Sequence, residues 1–509
     1  MKTVELLPYF LVRLFLFSLF FVPLLNASTL YLSISTNPSK LNPILAGDAG
    51  SSEISSKIFS GLLKYDKDGN IVTDLAKSYD FVDEKTLLFT LRDDVLWHDG
   101  AKFSAKDVVF TYKTITSPKI FSPYSSSYTK IESVEALDEY RVKVVYKEPY
   151  FRALEIWLVS LIPEHILKDE EEIMTSSFNT NPIGTGPYTL KNLSYSQNVE
   201  LEAFKDYYDG EPKIKNISYR FTPDRASEFM LLRKGELDVG SLTPLQYTRQ
   251  IDLDFEKRFK IYELIGHSYG YMGFNLKKEK FKSLKLRQAL AMLVNREELI
   301  DIMAFGYGDI VNGPFLKGAI GYNKDIKLPD YNPKKAIEIL NSLGYNKQNP
   351  LTFQIAVPSS GSGKQIAQII QYMFSFAPIE VSIRAVEWQA FLNTIVEPRD
   401  FDALIMAWSL ALFPNPETLW HSSSDKKGGF NFIGYKNQKV DSLIEESMKI
   451  VDRDVLDKKL QEIYKLISQD IPYIFLYSSK NLVASKKNIQ NIEPSIIGIE
   501  HNLIEWEKP

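Results

Sequence analysis

Between residues 351 and 408 the chain alternates short apolar runs with amphipathic stretches. Residues 351–357, 381–386 and 401–408 have the length and apolar content of strands, whereas 364–376 and 389–395 carry apolar positions at helical spacing. This order predicts a βαβαβ unit and a parallel sheet with helices on its faces. The third run is unbroken and apolar over residues 403–407, is capped by Trp408, and turns at Phe413-Pro414-Asn415-Pro416. No charged residue lies between Asp402 and Glu417. Such a run, ended by proline turn chemistry, predicts a buried strand and a loop. Ligands of open α/β sheets gather past the carboxyl ends of strands, so this loop is a candidate ligand-facing segment.

Elsewhere the same reading predicts strands at 30–35, 87–91, 141–146, 198–204 and 216–221, with the last two joined through an Asp209-Gly210 turn. Asp66 to Asn70 reads as a hairpin turn; a calcium loop would need a glutamate at residue 77, which is a lysine. Ser104 and Asp107 form a capping box that opens a helix to about residue 115. Thr222-Pro223 is expected to cap a helix that stops near Gly235. Helices follow at 283–293 and 295–304, the second with an Asn295 cap, and one opened by Asn332-Pro333 ends at Gly344. Helices at 441–451 and 455–467 precede a last strand at 473–477. No internal repeat or low-complexity linker interrupts this order.

A chain of 509 residues exceeds one core and implies two or three domains. Its 44% hydrophobic and 24% charged residues are those of a soluble globular protein. A net charge of −4, spread without blocks, gives no footprint for nucleic acid. At the start, Lys2 and Arg13 precede an apolar stretch over residues 14–25, then Leu25-Asn26-Ala27. That is the order of a secretory signal over residues 1–27, cleaved after Ala27, and its apolar part is shorter than the roughly twenty residues that span a bilayer. Cysteine is absent, so there is no disulfide and no cysteine for lipid attachment. The expected location is the bacterial periplasm.

Catalytic chemistry is sought without success. His98, His165, His267, His421 and His501 lack the spacing of a zinc site. Gly361-Ser-Gly363-Lys364 follows a strand and opens a helix, as a phosphate loop does, but Pro358 and Gln365 occupy its required glycine and Ser/Thr positions. The helix start there still suits an anionic ligand group. No G-x-S-x-G elbow exists, and Gly184-Thr-Gly-Pro187 reads as a rigid turn. The expectation is a binding protein with no cofactor, no metal and no catalytic activity.

Five motifs then carry a family resemblance: AKSYDFVDEKTLLFTLRDDVLWHDG at 76–100, FSAKDVVFTY at 103–112, IGTGPYTL at 183–190, LRKGELDV at 232–239 and LRQALAMLVNREELI at 286–300. FDALIMAWSL and GFNFIGYKNQKVDSLIEE extend it to residue 446. The chain resembles the family 5 bacterial extracellular solute-binding proteins, the oligopeptide- and dipeptide-binding subunits of ABC importers. The resemblance implies an α/β, type II periplasmic-binding-protein fold, with two ligand-enclosing lobes joined by a hinge plus an extra family-specific lobe. Lobe I would comprise 28–55, 180–265 and 475–509, lobe II the insertion 56–179, and lobe III 266–474. It further implies a monomer that captures peptides in a closing cleft and delivers them to an inner-membrane ABC permease. Trp97-His98-Asp99-Gly100 would be a fold-defining turn of lobe II.

By the same resemblance Ala49 and Gly50 would offer backbone groups to the ligand, and Tyr124, Trp388, Trp408, Ser409, Phe413, Asn415 and Tyr477 would line its site. One departure is chemical. Peptide-binding members carry an aspartate shortly after the tryptophan to pair the peptide ammonium, and here Phe413 and Asn415 stand where acids are expected. Losing one partner of a buried charge pair costs about 2–5 kcal/mol. Either Glu387 or Glu417 supplies the charge, or the ligand has no free amine. The alternatives are therefore a modified peptide, a sugar or a metal chelate in the same transport role, or a ligand-sensing or chaperone protein on this scaffold.

Overall fold

The computed structural model describes residues 28–509; the expected signal segment 1–27 lies outside the described residues. The first strand, Thr29–Ile34, buries Leu30, Leu32 and Ile34 on one face and pairs in parallel with Asn216–Phe221. That strand continues antiparallel to Asn198–Ala203 and then Tyr188–Ser194, giving a four-stranded sheet. Beside it lies a three-stranded antiparallel sheet whose central strand, Asn481–Lys486, is flanked by Val239–Leu242 and Phe259–Leu264. Asp238 ties the two sheets together. Fully buried, it accepts from the Tyr31 N–H at 2.8 Å and from Lys508 at 2.6 Å, and forms an ion pair with Lys486 at 2.8 Å.

Residues between the first strand and this pair of sheets form an antiparallel sheet of Ala76–Asp83, Thr86–Leu91, Arg141–Tyr146 and Ile131–Ala136, in spatial order. The Ala105–Thr116 helix packs on it, with the capping box formed as expected: the Ser104 N–H donates to Asp107 at 2.9 Å. Here the Trp97-His98-Asp99-Gly100 turn is locked to Gly184-Thr-Gly-Pro187. The His98 N–H donates to the Gly184 carbonyl at 2.9 Å, and its Nδ1 accepts from the Gly184 N–H at 3.2 Å. Its Nε2 donates to the Gly186 carbonyl at 3.0 Å. This bonding requires the neutral ring, and burial pulls the His98 pKa down to about 4. Gly184 in turn crosses the end of the Ala49–Ile58 helix so closely that a Cβ would lie 1.9 Å from the Ile58 carbonyl oxygen.

The βαβαβ run builds the largest sheet, in the order Ile379–Val386, Leu351–Pro358, Ala403–Ser409, Ser268–Phe274 and Tyr473–Phe475. The first three strands are parallel, as the alternation predicts, but the sheet as a whole is mixed, because Ser268–Phe274 enters antiparallel to both neighbours. Two further expectations need correction. The helix after Thr222-Pro223 is Arg225–Lys234, capped by Asp224, whose carboxylate accepts from the Ala226 and Ser227 N–H groups. The stretch 473–477 is neither one strand nor the last: Tyr477–Ser479 leaves the sheet to pair with Gly308–Ile310, and Asn481–Lys486 follows. Among the described residues no helix is long and apolar enough to cross a membrane.

Candidate functional site

The Ala403–Ser409 strand is buried at Ala403, Leu404 and Ile405, then emerges from the core toward Trp408. Its partner register sets Trp408 opposite Tyr269. The indole lies nearly parallel to the Tyr271 ring at 6.0 Å, and Tyr271 stacks on Tyr473 at 4.0 Å. Phe430 meets the indole edge-on at 6.0 Å. Aromatic stacking of this kind fixes the ring as a rigid wall. Its Nε1 is buried and has no hydrogen-bond partner, as have the Tyr271 and Tyr473 hydroxyls.

Past Trp408 the chain turns into the Pro416–Trp420 helix, and Asn415 is its N-cap, accepting from the Glu417 N–H at 3.0 Å. Proline at the first helical position explains the sharp entry. Phe413 is buried, 5.5 Å from the Phe151 ring, with the Arg453 guanidinium 4.4 Å from its centre. Arg453 pairs with the buried Glu155, whose pKa burial raises and Arg453 opposes. A cavity of about 300 Å³ opens here, walled by Trp408, Ser409, Phe413, Asn415, Phe430 and Arg152. A second, of about 280 Å³, is lined by Tyr124, Glu155, Arg152, and Ser52, Ser55 and Ser56 of the Ala49–Ile58 helix. Arg152 borders both.

Trp408, Ser409, Phe413 and Asn415 thus meet in one cavity, and Tyr124 lies in its neighbour. Tyr477 faces a third cavity of about 290 Å³, with Met406, Gly270 and Gly363, at the start of the Gly363–Phe374 helix. Trp388 is 41% exposed, stacked on Phe391 and outside all three. Gly50 gives its N–H to the Thr36 hydroxyl at 3.0 Å, Ala49 is exposed, and neither borders the cavities, which the helix reaches through its serines instead. Neither acid named as a substitute lines the Trp408 cavity. Glu387 accepts from the Gln389 and Ala390 N–H groups, and Glu417 is exposed. The sequence reading missed Arg152 and Glu155. Both lie in residues 150–155, whose mixed polarity has no helical or strand period to mark it.

Among the described residues no group of histidine or acidic side chains is placed to hold a metal ion. His165 donates to Asp99 at 2.9 Å and His421 to Glu445 at 3.3 Å. The donors around the cavities are hydroxyls, an amide and a guanidinium, which suits binding and orientation of a solute.

Comparison with known proteins gives a consistent result. The model of the bacterial extracellular solute-binding proteins, family 5 (middle region), matches residues 70–430. The chain is 31% identical to the oligopeptide-binding protein AppA of Bacillus subtilis, over 92% of this chain and 89% of that protein. The solved structure of that protein with a nonapeptide has a TM-score of 0.72 at 30% identity, covering 94% of this chain and 99% of the other. NikZ from Campylobacter jejuni in complex with Ni(L-His) has a TM-score of 0.73 at 28% identity, covering 95% and 100%.

Proposed function

The chain belongs to the family 5 bacterial extracellular solute-binding proteins, and from that membership we propose that it is the substrate-binding component of an ABC transporter, capturing peptides and delivering them to an inner-membrane permease. The observation that carries this reading is the pair of cavities meeting at Arg152. They are lined by the serine face of the Ala49–Ile58 helix and by the Trp408 loop, elements far apart in sequence.

In this reading residues 28–55, 180–265 and 475–509 form lobe I, 56–179 lobe II and 266–474 lobe III. Ligand contacts made only in the closed form shift the open–closed equilibrium, and the permease reads the closed form. The rigid aromatic wall and adaptable hydroxyls suit a ligand held by its backbone with loose side-chain selection. The chain acts as a monomer in the periplasm after cleavage behind Ala27, and binds without turnover.

Calorimetry against a short-peptide library tests the proposal. Binding to several peptides is expected, weakened by Trp408→Ala, with the peptide recovered unhydrolysed. Binding to no peptide overturns it. A second reading, a non-peptide solute in the same role, is favoured by one observation: no carboxylate lines the Trp408 cavity to receive a peptide ammonium.

A further inference from the structure

Arg152 is the one ionised residue lining the Trp408 cavity, and it lines the Tyr124 cavity as well. Nearby charges are matched: Arg453 engages Glu155, and Lys64 engages Asp74 at 3.0 Å. Arg152 differs. Among the described residues its guanidinium donates no hydrogen bond and enters no ion pair, and its Nε is buried without a partner. A fork of donors held against apolar walls and left unpaired forgoes the bidentate bonding for which the group is shaped. Glu155 has one oxygen without a partner; Arg453 pairs with its charge, and Arg152 acts on the same carboxylate without reaching it as an ion pair. Two arginines thus stand against one buried carboxylate, facing a loop that carries no charge between Asp402 and Glu417.

We infer that a carboxylate of the bound solute completes Arg152, so that this chain selects its ligand by a negative charge and not by a free ammonium. This rests on the proposed function, because the cavities concerned are the ones assigned to the ligand. It turns the missing acid after Trp408 from a defect into a matched feature. An aspartate at Asn415, which lines the same cavity, would offer Arg152 a competing carboxylate.

Calorimetry on wild type, Arg152→Gln and Arg152→Lys decides it, using one peptide series in free, C-terminally amidated and N-acetylated forms. Wild type is expected to lose roughly 30-fold or more in affinity on amidation, the range for removing one partner of a buried charge pair. Acetylation should change little. Arg152→Gln should lose as much for the free acid and nothing further for the amide, with Arg152→Lys in between. Melting of the unliganded variants at the wild-type temperature shows that the loss is not misfolding. Equal binding of acid and amide, or of wild type and Arg152→Gln, overturns the inference, as does a loss confined to acetylation. If no peptide binds in any form, the peptide reading fails instead. The charge inference is then decided by non-peptide carboxylates against neutral sugars, and preference for a neutral sugar overturns it.

Discussion

The Arg453 guanidinium stands 4.4 Å from the centre of the Phe413 ring while pairing with the Glu155 carboxylate. Phe413 is thereby committed to the interior as well as to the cavity wall, and Phe151 closes its other contacts. Phe413→Ala should destabilise the protein by about 3 kcal/mol or more, the usual cost of truncating a buried aromatic. Urea unfolding measures it. A midpoint within error of wild type would mean that the ring is dispensable to folding and serves the ligand alone.

Glu155 and Arg453 join the 150–155 segment to the start of the Arg453–Asp470 helix. Arg453→Leu removes the ion-pair partner of a buried carboxylate that Arg152 then supports only at longer range, and should cost up to about 3–5 kcal/mol near neutral pH. The double variant Glu155→Met/Arg453→Leu should recover most of that loss, because an apolar pair removes the desolvation problem. Equal losses in single and double variants would contradict this coupling.

His98 makes a pH prediction whose sign follows from its neutral ring. The folded pKa is about 4 against an ordinary 6.5, so between these values the unfolded chain holds the extra proton. The contribution is complete above pH 6.5 and is lost as pH falls from there toward 4, amounting to about 3 kcal/mol. Unfolding free energies measured across that window should fall more steeply for wild type than for His98→Gln. Parallel curves would show that His98 does not carry the dependence.

Two glycines of the same motif region should respond very differently. At Gly184 a Cβ would meet the Ile58 carbonyl oxygen at 1.9 Å, backbone against backbone, whereas at Gly100 it meets nothing within 4 Å. Gly184→Ala should prevent recovery of folded protein or cost more than the roughly 1–3 kcal/mol typical of overpacking. Gly100→Ala, strained only by its φ of +86°, should cost about 1 kcal/mol. Thermal unfolding of the two proteins provides the comparison.

What the sequence made legible was local. The βαβαβ run, the Ser104–Asp107 box and the Asn332-Pro333 helix start each depend on residues a few positions apart, and each is present. The antiparallel entry of Ser268–Phe274 depends on a pairing with residues more than a hundred positions away, which no local period encodes. At the site, Trp408 and its neighbours were visible because an uncharged loop stands out in a mixed chain. Arg152 was not, since an arginine marks itself only by the partner it lacks, and that is a property of three dimensions. Asn415, which the sequence marks only as a missing acid, is also the cap of the next helix.

The place of Asn481–Lys486 at the centre of its sheet has a consequence for the order of assembly. Its two neighbours, Val239–Leu242 and Phe259–Leu264, are made more than two hundred residues earlier and are not bonded to each other. A growing chain therefore carries two open strand edges through more than two hundred residues of further synthesis, and loop closure over that span is slow. The fold is completed by a late insertion, and until then the chain remains a substrate for whatever keeps it from pairing elsewhere.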